Sequence, residues 1–112
     1  MPAIFFEFFY MGIPEMVKHL VMWRLQNTDS KIADGEKIKA WLEGLSGRIP
    51  GLLRIEVGLN FVDDAQAADV VLYSEFRDAA ALAEYQQHPL HLEVVPKVKA
   101  LTNERRSVDY HV

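Results

Sequence analysis

Three side chains that could take part in catalysis or ligand binding lie close together in the stretch Glu84–Val95, EYQQHPLHLEVV. They are Tyr85, His88 and His91, and Pro89 lies between the two histidines. A histidine can accept a proton near neutral pH, and a tyrosine hydroxyl can donate a hydrogen bond to a carbonyl oxygen. One hypothesis is therefore that His91 acts as a general base beside Tyr85. The alternative is a core tyrosine with a satisfied hydroxyl and a histidine with a structural hydrogen bond.

The two histidines also raise the possibility of a metal site. Together with His19 and Asp109 they would supply the three or four ligands that a zinc site needs. The proline, however, places His88 and His91 on different segments and removes the i, i+3 facing of a helical pair. The chain contains no cysteine, which excludes thiolate ligands and a disulfide framework. We therefore predict neither a metal nor another cofactor.

His19 is a further candidate, because it lies on the apolar face of a predicted strand, VKHLVMWRL. A lone histidine there is more often a satisfied interior residue, but it could also line a cavity and bond Asp109, since a carboxylate commonly fixes an imidazole's tautomer. The candidate ligand-pocket residues are His19, Trp23, His88 and Asp109. For Trp23 the alternative is a structural role in the hydrophobic core or in an interface. For His88 the alternative is to bond backbone groups freed at a helix end.

The composition limits the class of protein. The chain has 112 residues, which predicts one domain, and half of them are hydrophobic. Lysine and arginine number 12 against 16 aspartates and glutamates, giving a formal net charge of −4. Without a basic stripe, this charge argues against nucleic acid and anionic lipid as partners. A cytoplasmic location is the expectation, since a chain without cysteine is compatible with a reducing compartment.

The first residues, MPAIFFEFFYMGIPE, hold four of the six phenylalanines. They include no lysine or arginine and no small-residue cleavage site, unlike a secretory signal. The apolar run is about half the ~20 residues of a membrane span. We predict an apolar N-terminal extension over residues 1–15 and a domain over residues 16–112. Met16 is an alternative start of the chain.

Periodic patterns predict the elements that must position the candidate residues. Alternation predicts strands over residues 17–25, 53–61, 70–76 and 105–112. Cap-type residues 27–30 begin a helix that ends near Gly44, and Asp78 begins another. A residue before proline avoids the helical region, so this second helix should end near His88, and Pro89 should begin a separate helical segment.

The same patterns predict which side chains are buried. In the second strand, Leu53, Leu59 and Phe61 should share the apolar side. In the first helix, the apolar stripe should include Ile32, and Gly35 should disturb the first turn. In the last helical segment, the stripe should contain Leu92, Val95 and Val98, and Pro96 should bend or shorten the segment.

The order β-α-β-β-α-β is the ferredoxin-like pattern of an α+β fold with an antiparallel sheet. Its helices lie on one face of the sheet. The other face carries both apolar and polar side chains, which suggests that a second subunit covers it.

Four stretches of the chain, in order, are VKHLVMWRL, IPGLLRIEVGLNF, EYQQHPLH and SVDYHV. Through them the chain resembles the stress-responsive A/B barrel (Dabb) family of the dimeric α+β barrel superfamily. The resemblance covers about Met16 to Tyr110. Its most specific part is the Tyr-x-x-His-Pro-x-His run, together with the strand histidine and the closing Asp-Tyr.

The resemblance implies a homodimer whose sheets face each other as a barrel, with a cavity between sheet and helices in each subunit. Most members have no assigned activity, so the leading hypothesis is a stress-response-type protein that binds a small apolar molecule. A plant branch resembles polyketide cyclases, with a tyrosine and a histidine at the positions of Tyr85 and His91. A lyase or cyclase of this kind is the second hypothesis, and a cofactor-free monooxygenase-like enzyme is the third.

Overall fold

A computed structural model describes residues 15–112 of the chain, and these residues form four strands and three helices. In chain order the elements are β1 Val17–Leu25, α1 Lys31–Glu43, β2 Leu52–Leu59, β3 Val70–Phe76, α2 Ala79–Gln87, α3 Pro89–Leu101 and β4 Thr102–His111. A short 3₁₀ turn, Thr28–Ser30, precedes α1. The predicted α+β, ferredoxin-like order is confirmed, including the division of the second helical region. The predicted N-terminal extension, apart from Glu15, lies outside the described residues.

The four strands form one antiparallel sheet in the order β2-β3-β1-β4. The buried core joins one face of this sheet to the inner sides of the helices. The central strand β1 carries the predicted pattern, since Val17, His19, Val21, Trp23 and Leu25 are all buried. Successive side chains of a strand point to opposite faces of the sheet, and these alternate residues are directed towards the helices. This arrangement places His19 and Trp23 in the interior.

The face of β2 differs from the prediction. Leu52 is buried, whereas Leu53 is 58% exposed, and Phe61 lies beyond the end of the strand and is also exposed. The pairing with β3 shifts its register between Leu52 and Arg54. Such a bulge inserts one extra residue and turns the following side chains to the opposite face. The apolar alternation was therefore correct for part of the strand only.

The first helix also differs from its predicted stripe. Ile32 is 81% exposed, and α1 continues through Gly35, which is buried. A Cβ atom at Gly35 would lie 3.0 Å from Cδ2 of Leu59 on β2. The glycine therefore allows the helix to approach the sheet closely and does not disturb its first turn.

The chain turns between α2 and α3 as predicted. Asp78 caps α2 by accepting a hydrogen bond from the N–H of Ala81 (2.8 Å). His88 has an extended backbone (φ −67°, ψ 135°), and Pro89 is the first residue of α3. The interior proline, Pro96, does not end α3, which continues to Leu101.

The buried side chains of α3 are Val94 and Val98, while Leu92 is half exposed. The prediction for Leu92 was therefore wrong, because the stripe facing the sheet has a different phase along the helix. Among residues 15–112, no helix is long and apolar enough to span a membrane.

The last strand starts at Thr102, earlier than the predicted residue 105, and follows α3 directly. Its pairing with β1 shifts between Met22 and Arg24, which face Arg106 and Asn103. Two residues of β4, Glu104 and Arg105, therefore lie opposite one residue of β1. Glu104 has a φ of 49°, the left-handed conformation that often accompanies such a bulge.

Candidate functional site

A cavity of about 360 Å³ lies between the sheet and the helices, and its lining is mainly apolar. The apolar side chains come from β1, α1, β3 and α3, and they include Val21, Trp23, Leu42, Leu72, Val94 and Val98. Its volume is near the lower end of the range of about 300–1,000 Å³ for small-molecule pockets. The cavity therefore suits one small, largely apolar molecule.

The rings of Tyr85 and His91 form part of the wall of this cavity. Their centroids are 4.3 Å apart, and the ring planes make an angle of 38°. Tyr85 belongs to the last turn of α2 and His91 to the first turn of α3. The break at His88 and Pro89 therefore brings the two rings together from two separate helices.

Each of these two rings carries a buried polar atom that has no partner within residues 15–112, namely the Tyr85 hydroxyl and His91 Nδ1. A buried polar atom without a hydrogen bond costs free energy. Burial also raises the pKa of the Tyr85 hydroxyl to about 12. This hydroxyl therefore keeps its proton at neutral pH and remains a hydrogen-bond donor.

The imidazole of His91 is held in its neutral form. Burial is the largest cause that lowers its pKa below the ordinary value, because the charged form loses its hydration. The positive charge of Arg105 acts in the same direction, while the backbone carbonyl of Gln86 opposes it. A neutral imidazole at neutral pH can accept a proton from a bound molecule.

His19 lies near the same rings and is tied to the last strand. Its Nδ1 is hydrogen-bonded to the carboxylate of Asp109, the residue directly opposite it in the β1–β4 register. Its ring centroid is 6.3 Å from that of Tyr85. Because the carboxylate accepts the hydrogen bond, Nδ1 carries the proton and Nε2 is the nitrogen that remains to accept one.

The structure brings four of the six predicted site residues to the cavity wall, and these are His19, Trp23, Tyr85 and His91. Asp109 is not part of the wall, but its carboxylate is hydrogen-bonded to His19, which is. His88 does not line it; its Nδ1 accepts a hydrogen bond from the N–H of Leu90 (3.1 Å) and so caps α3. The structure therefore differs from the expectation that His88 and Asp109 line the pocket. The His88 side chain caps α3, and the Asp109 carboxylate is hydrogen-bonded to His19.

Two cationic residues of the cavity wall, Lys99 and Arg105, were not predicted from the sequence. Lys99 lies near the end of α3, and Arg105 follows the bulge residue Glu104. A single sequence has no strong signal for such a bulge, so the direction of Arg105 could not be inferred. Within the described part of the chain, no three metal-ligating side chains come together as a possible metal site.

The fold has counterparts among solved structures. A dimeric protein of unknown function and ferredoxin-like fold from Bacteroides fragilis is 30% identical, with a TM-score of 0.77 over 87% of this chain and 96% of that one. The hydroxynitrile lyase of Passiflora edulis is 21% identical, with a TM-score of 0.72 over 88% of this chain and 94% of the lyase. A Nitrosomonas europaea protein, whose name proposes an antibiotic biosynthesis monooxygenase, is 22% identical, with a TM-score of 0.70 over 88% and 91% of the two chains.

At the level of sequence, no curated protein matches the chain. The family model for the stress responsive A/B barrel domain, Dabb, matches residues 17–112, which include every element described above. The match thus spans the sheet and its helices from the first strand to the last. The chain belongs to the stress-responsive A/B barrel (Dabb) family.

Proposed function

We propose that this protein binds a small, mainly apolar molecule that carries a carbonyl or similar oxygen, with Tyr85 and His91 as its polar contacts. The observation that carries the proposal is the pair of buried polar atoms without partners on two adjoining rings of the cavity wall. A ligand oxygen that accepts a hydrogen bond from Tyr85 would remove part of the cost of burying that hydroxyl. The apolar wall would contact the rest of the ligand.

A lyase or cyclase activity is the second candidate, and it is favoured by the protonation states of the two rings. A neutral His91 would take a proton from the carbon next to the ligand's carbonyl group, and the electron pair of that C–H bond would form an enolate. The Tyr85 hydroxyl would stabilise the negative oxygen by a hydrogen bond. In an aldol closure, the enolate carbon forms a C–C bond with a second carbonyl, and the resulting alkoxide takes the proton back from His91.

Asp109 would contribute to this chemistry only as a positioning residue. Its carboxylate holds the ring of His19, which lines the cavity beside Tyr85. The lyase from Passiflora edulis shares the fold with this chain, but at 21% identity the likeness does not extend to the reaction. A monooxygenase-like activity has no specific support. The neighbour of that name is 22% identical, and a likeness at this level extends to the fold alone.

We also propose that the protein is a homodimer in the cytoplasm and that it acts in a stress response, as the name of its family indicates. The face of the sheet opposite the helices exposes apolar side chains, among them Met22, Val108 and Tyr110. A second copy would cover this face. The 30% identical protein from Bacteroides fragilis is described as dimeric. Sedimentation as a monomer at micromolar concentration would overturn the dimer.

The binding proposal is tested first by mass spectrometry of the purified protein, which should reveal a co-purified apolar compound. A defined probe follows, because 2-octanone combines an apolar chain with one carbonyl oxygen. Its binding is measured by calorimetry in the wild type and in Y85F. The matched control is Y73F, since the Tyr73 hydroxyl lies on the other face of the sheet and donates to Glu75 (2.6 Å).

The Y85F variant should bind 2-octanone about fivefold more weakly, the usual effect of one lost hydrogen bond, whereas Y73F should bind as the wild type does. Equal binding by all three proteins would contradict a polar role of Tyr85. For the enzyme candidate, exchange of the α-protons of 2-octanone with D₂O is followed by NMR. Exchange that is unaffected by H91Q would remove His91 as the base.

A further inference from the structure

The wall of the cavity has two cationic side chains in a mainly apolar lining. Lys99 at the end of α3 and Arg105 at the start of β4 both line the cavity, and both are exposed to solvent. They therefore lie where the cavity meets the surface. Tyr85 and most of the apolar lining are buried, and His91 is partly buried.

Neither cation is neutralised by a neighbouring carboxylate in the described part of the chain. Other cations have acidic partners there, as Lys31 has Asp69 (3.2 Å) and Arg24 has Glu104 (3.6 Å). The side-chain hydrogen bond of Arg105 is a long one, from Nη1 to the hydroxyl of Ser107 (3.5 Å). Most donors of its guanidinium group thus remain available, although the chain as a whole has a net charge of −4.

The bulge in β4 explains how Arg105 comes to face the cavity. Regular pairing resumes at Arg106, which lies opposite Met22 and so shares the other face of the sheet. Side chains alternate along a strand, and Arg105 therefore points to the helix side. The left-handed backbone of Glu104 accommodates the extra residue there. Strand geometry thus directs one arginine into the cavity and its neighbour away from it.

We propose that Lys99 and Arg105 bind an anionic group, a carboxylate or a phosphate, at the mouth of the cavity. The ligand is then an amphiphilic acid whose apolar part lies against Trp23 and Val98 and whose anionic end lies at the surface. Guanidinium and ammonium groups recognise both kinds of anion by charge-assisted hydrogen bonds. This inference rests on the proposed binding function and specifies the chemical class of its ligand.

Three probes with the same eight-carbon chain test the inference by calorimetry: octanoate, octyl phosphate and the uncharged 1-octanol. The wild type should bind octanoate about tenfold more tightly than 1-octanol, the effect of a charge-assisted hydrogen bond at a partly exposed position. R105Q and K99Q should each reduce this ratio, and the double variant should bring it close to one. Tighter binding of octyl phosphate than of octanoate would identify phosphate as the natural group, and the reverse order a carboxylate.

The controls remove the same charge elsewhere. R48Q changes an exposed arginine in the turn after α1, and K97Q changes an exposed lysine of α3 that lies over the ring of Trp41. Both should retain the wild-type ratio. Increasing salt should weaken the binding of octanoate but not that of 1-octanol.

Equal affinities for octanoate and 1-octanol in the wild type, unchanged in R105Q and K99Q, would overturn the anion site and leave the apolar cavity proposal intact. A protein that binds 2-octanone but none of the three probes would likewise overturn the anion site and leave the cavity proposal intact. Failure of 2-octanone as well would contradict the proposed binding function itself. The two failures are therefore distinguishable.

Discussion

The ring centroids of Tyr85 and His91 lie 4.3 Å apart, although the two residues belong to different helices. A continuous helix would separate positions 85 and 91 by almost two turns and rotate one away from the other. The extended backbone of His88 and the proline after it change the direction of the chain between them. The contact between the rings is therefore a product of the helix break.

Replacing Tyr85 by phenylalanine should leave the free energy of unfolding unchanged or raise it by up to about 1 kcal/mol, because the lost hydroxyl has no partner in the described structure. In contrast, Y73F should lower it by about 1 kcal/mol, since a hydrogen bond to a carboxylate is lost. Urea denaturation of both variants makes the comparison. A larger loss for Y85F than for Y73F would show that the Tyr85 hydroxyl is satisfied in the folded protein.

The protein should become less stable as the pH falls below about 6.5, and His91 should contribute to this loss. Burial lowers the pKa of His91 in the folded state, so the unfolded state binds a proton at a higher pH than the folded state does. The stabilising effect of the neutral ring is complete above the unfolded-state pKa and decreases as the pH falls towards the folded-state pKa. Urea midpoints between pH 5 and pH 8 should fall less steeply in H91Q. Parallel curves for the two proteins would contradict the prediction.

The hydrogen bond between His19 and Asp109 should couple β1 to β4. A double-mutant cycle with H19Q and D109N should give a coupling free energy of about 1 kcal/mol, since the histidine is buried but the carboxylate side chain is 42% exposed. The control cycle uses the exposed pair Arg54 and Glu56 on β2 (2.8 Å), for which about 0–0.5 kcal/mol is expected. Similar coupling in both cycles would mean that burial of His19 adds nothing to the pair.

Gly51 should tolerate alanine less well than Gly47 does. Both have a positive φ, 81° and 74°, so each substitution should cost about 1 kcal/mol of backbone strain. A Cβ at Gly51 would also lie 2.5 Å from the Cβ of Ala81 on α2, whereas one at Gly47 meets nothing within 4 Å. G51A should therefore lose about 1–3 kcal/mol more than G47A, by overpacking. Thermal denaturation of the two variants measures the difference, and equal losses would show that α2 moves freely away from the turn.

Much of the fold was predictable because its strongest signals are local. The alternation in β1 identified the buried side of that strand, and the His-Pro pair identified the break between α2 and α3. The register shifts in β2 and β4 were not predictable, since a bulge depends on how two distant strands pair. For this reason, a regular alternation of side chains along each strand could not predict the exposure of Leu53 or the direction of Arg105.

The sequence by itself determined the order of the elements, the Asp78 cap of α2 and the presence of a tyrosine and a histidine on either side of a proline. These features depend on backbone preferences and spacing within a few residues. Only the tertiary structure decided that Tyr85, His91 and His19 share one apolar cavity and that Lys99 and Arg105 lie at its mouth. Contacts between residues far apart in the chain are set by packing and strand register, which no local pattern encodes.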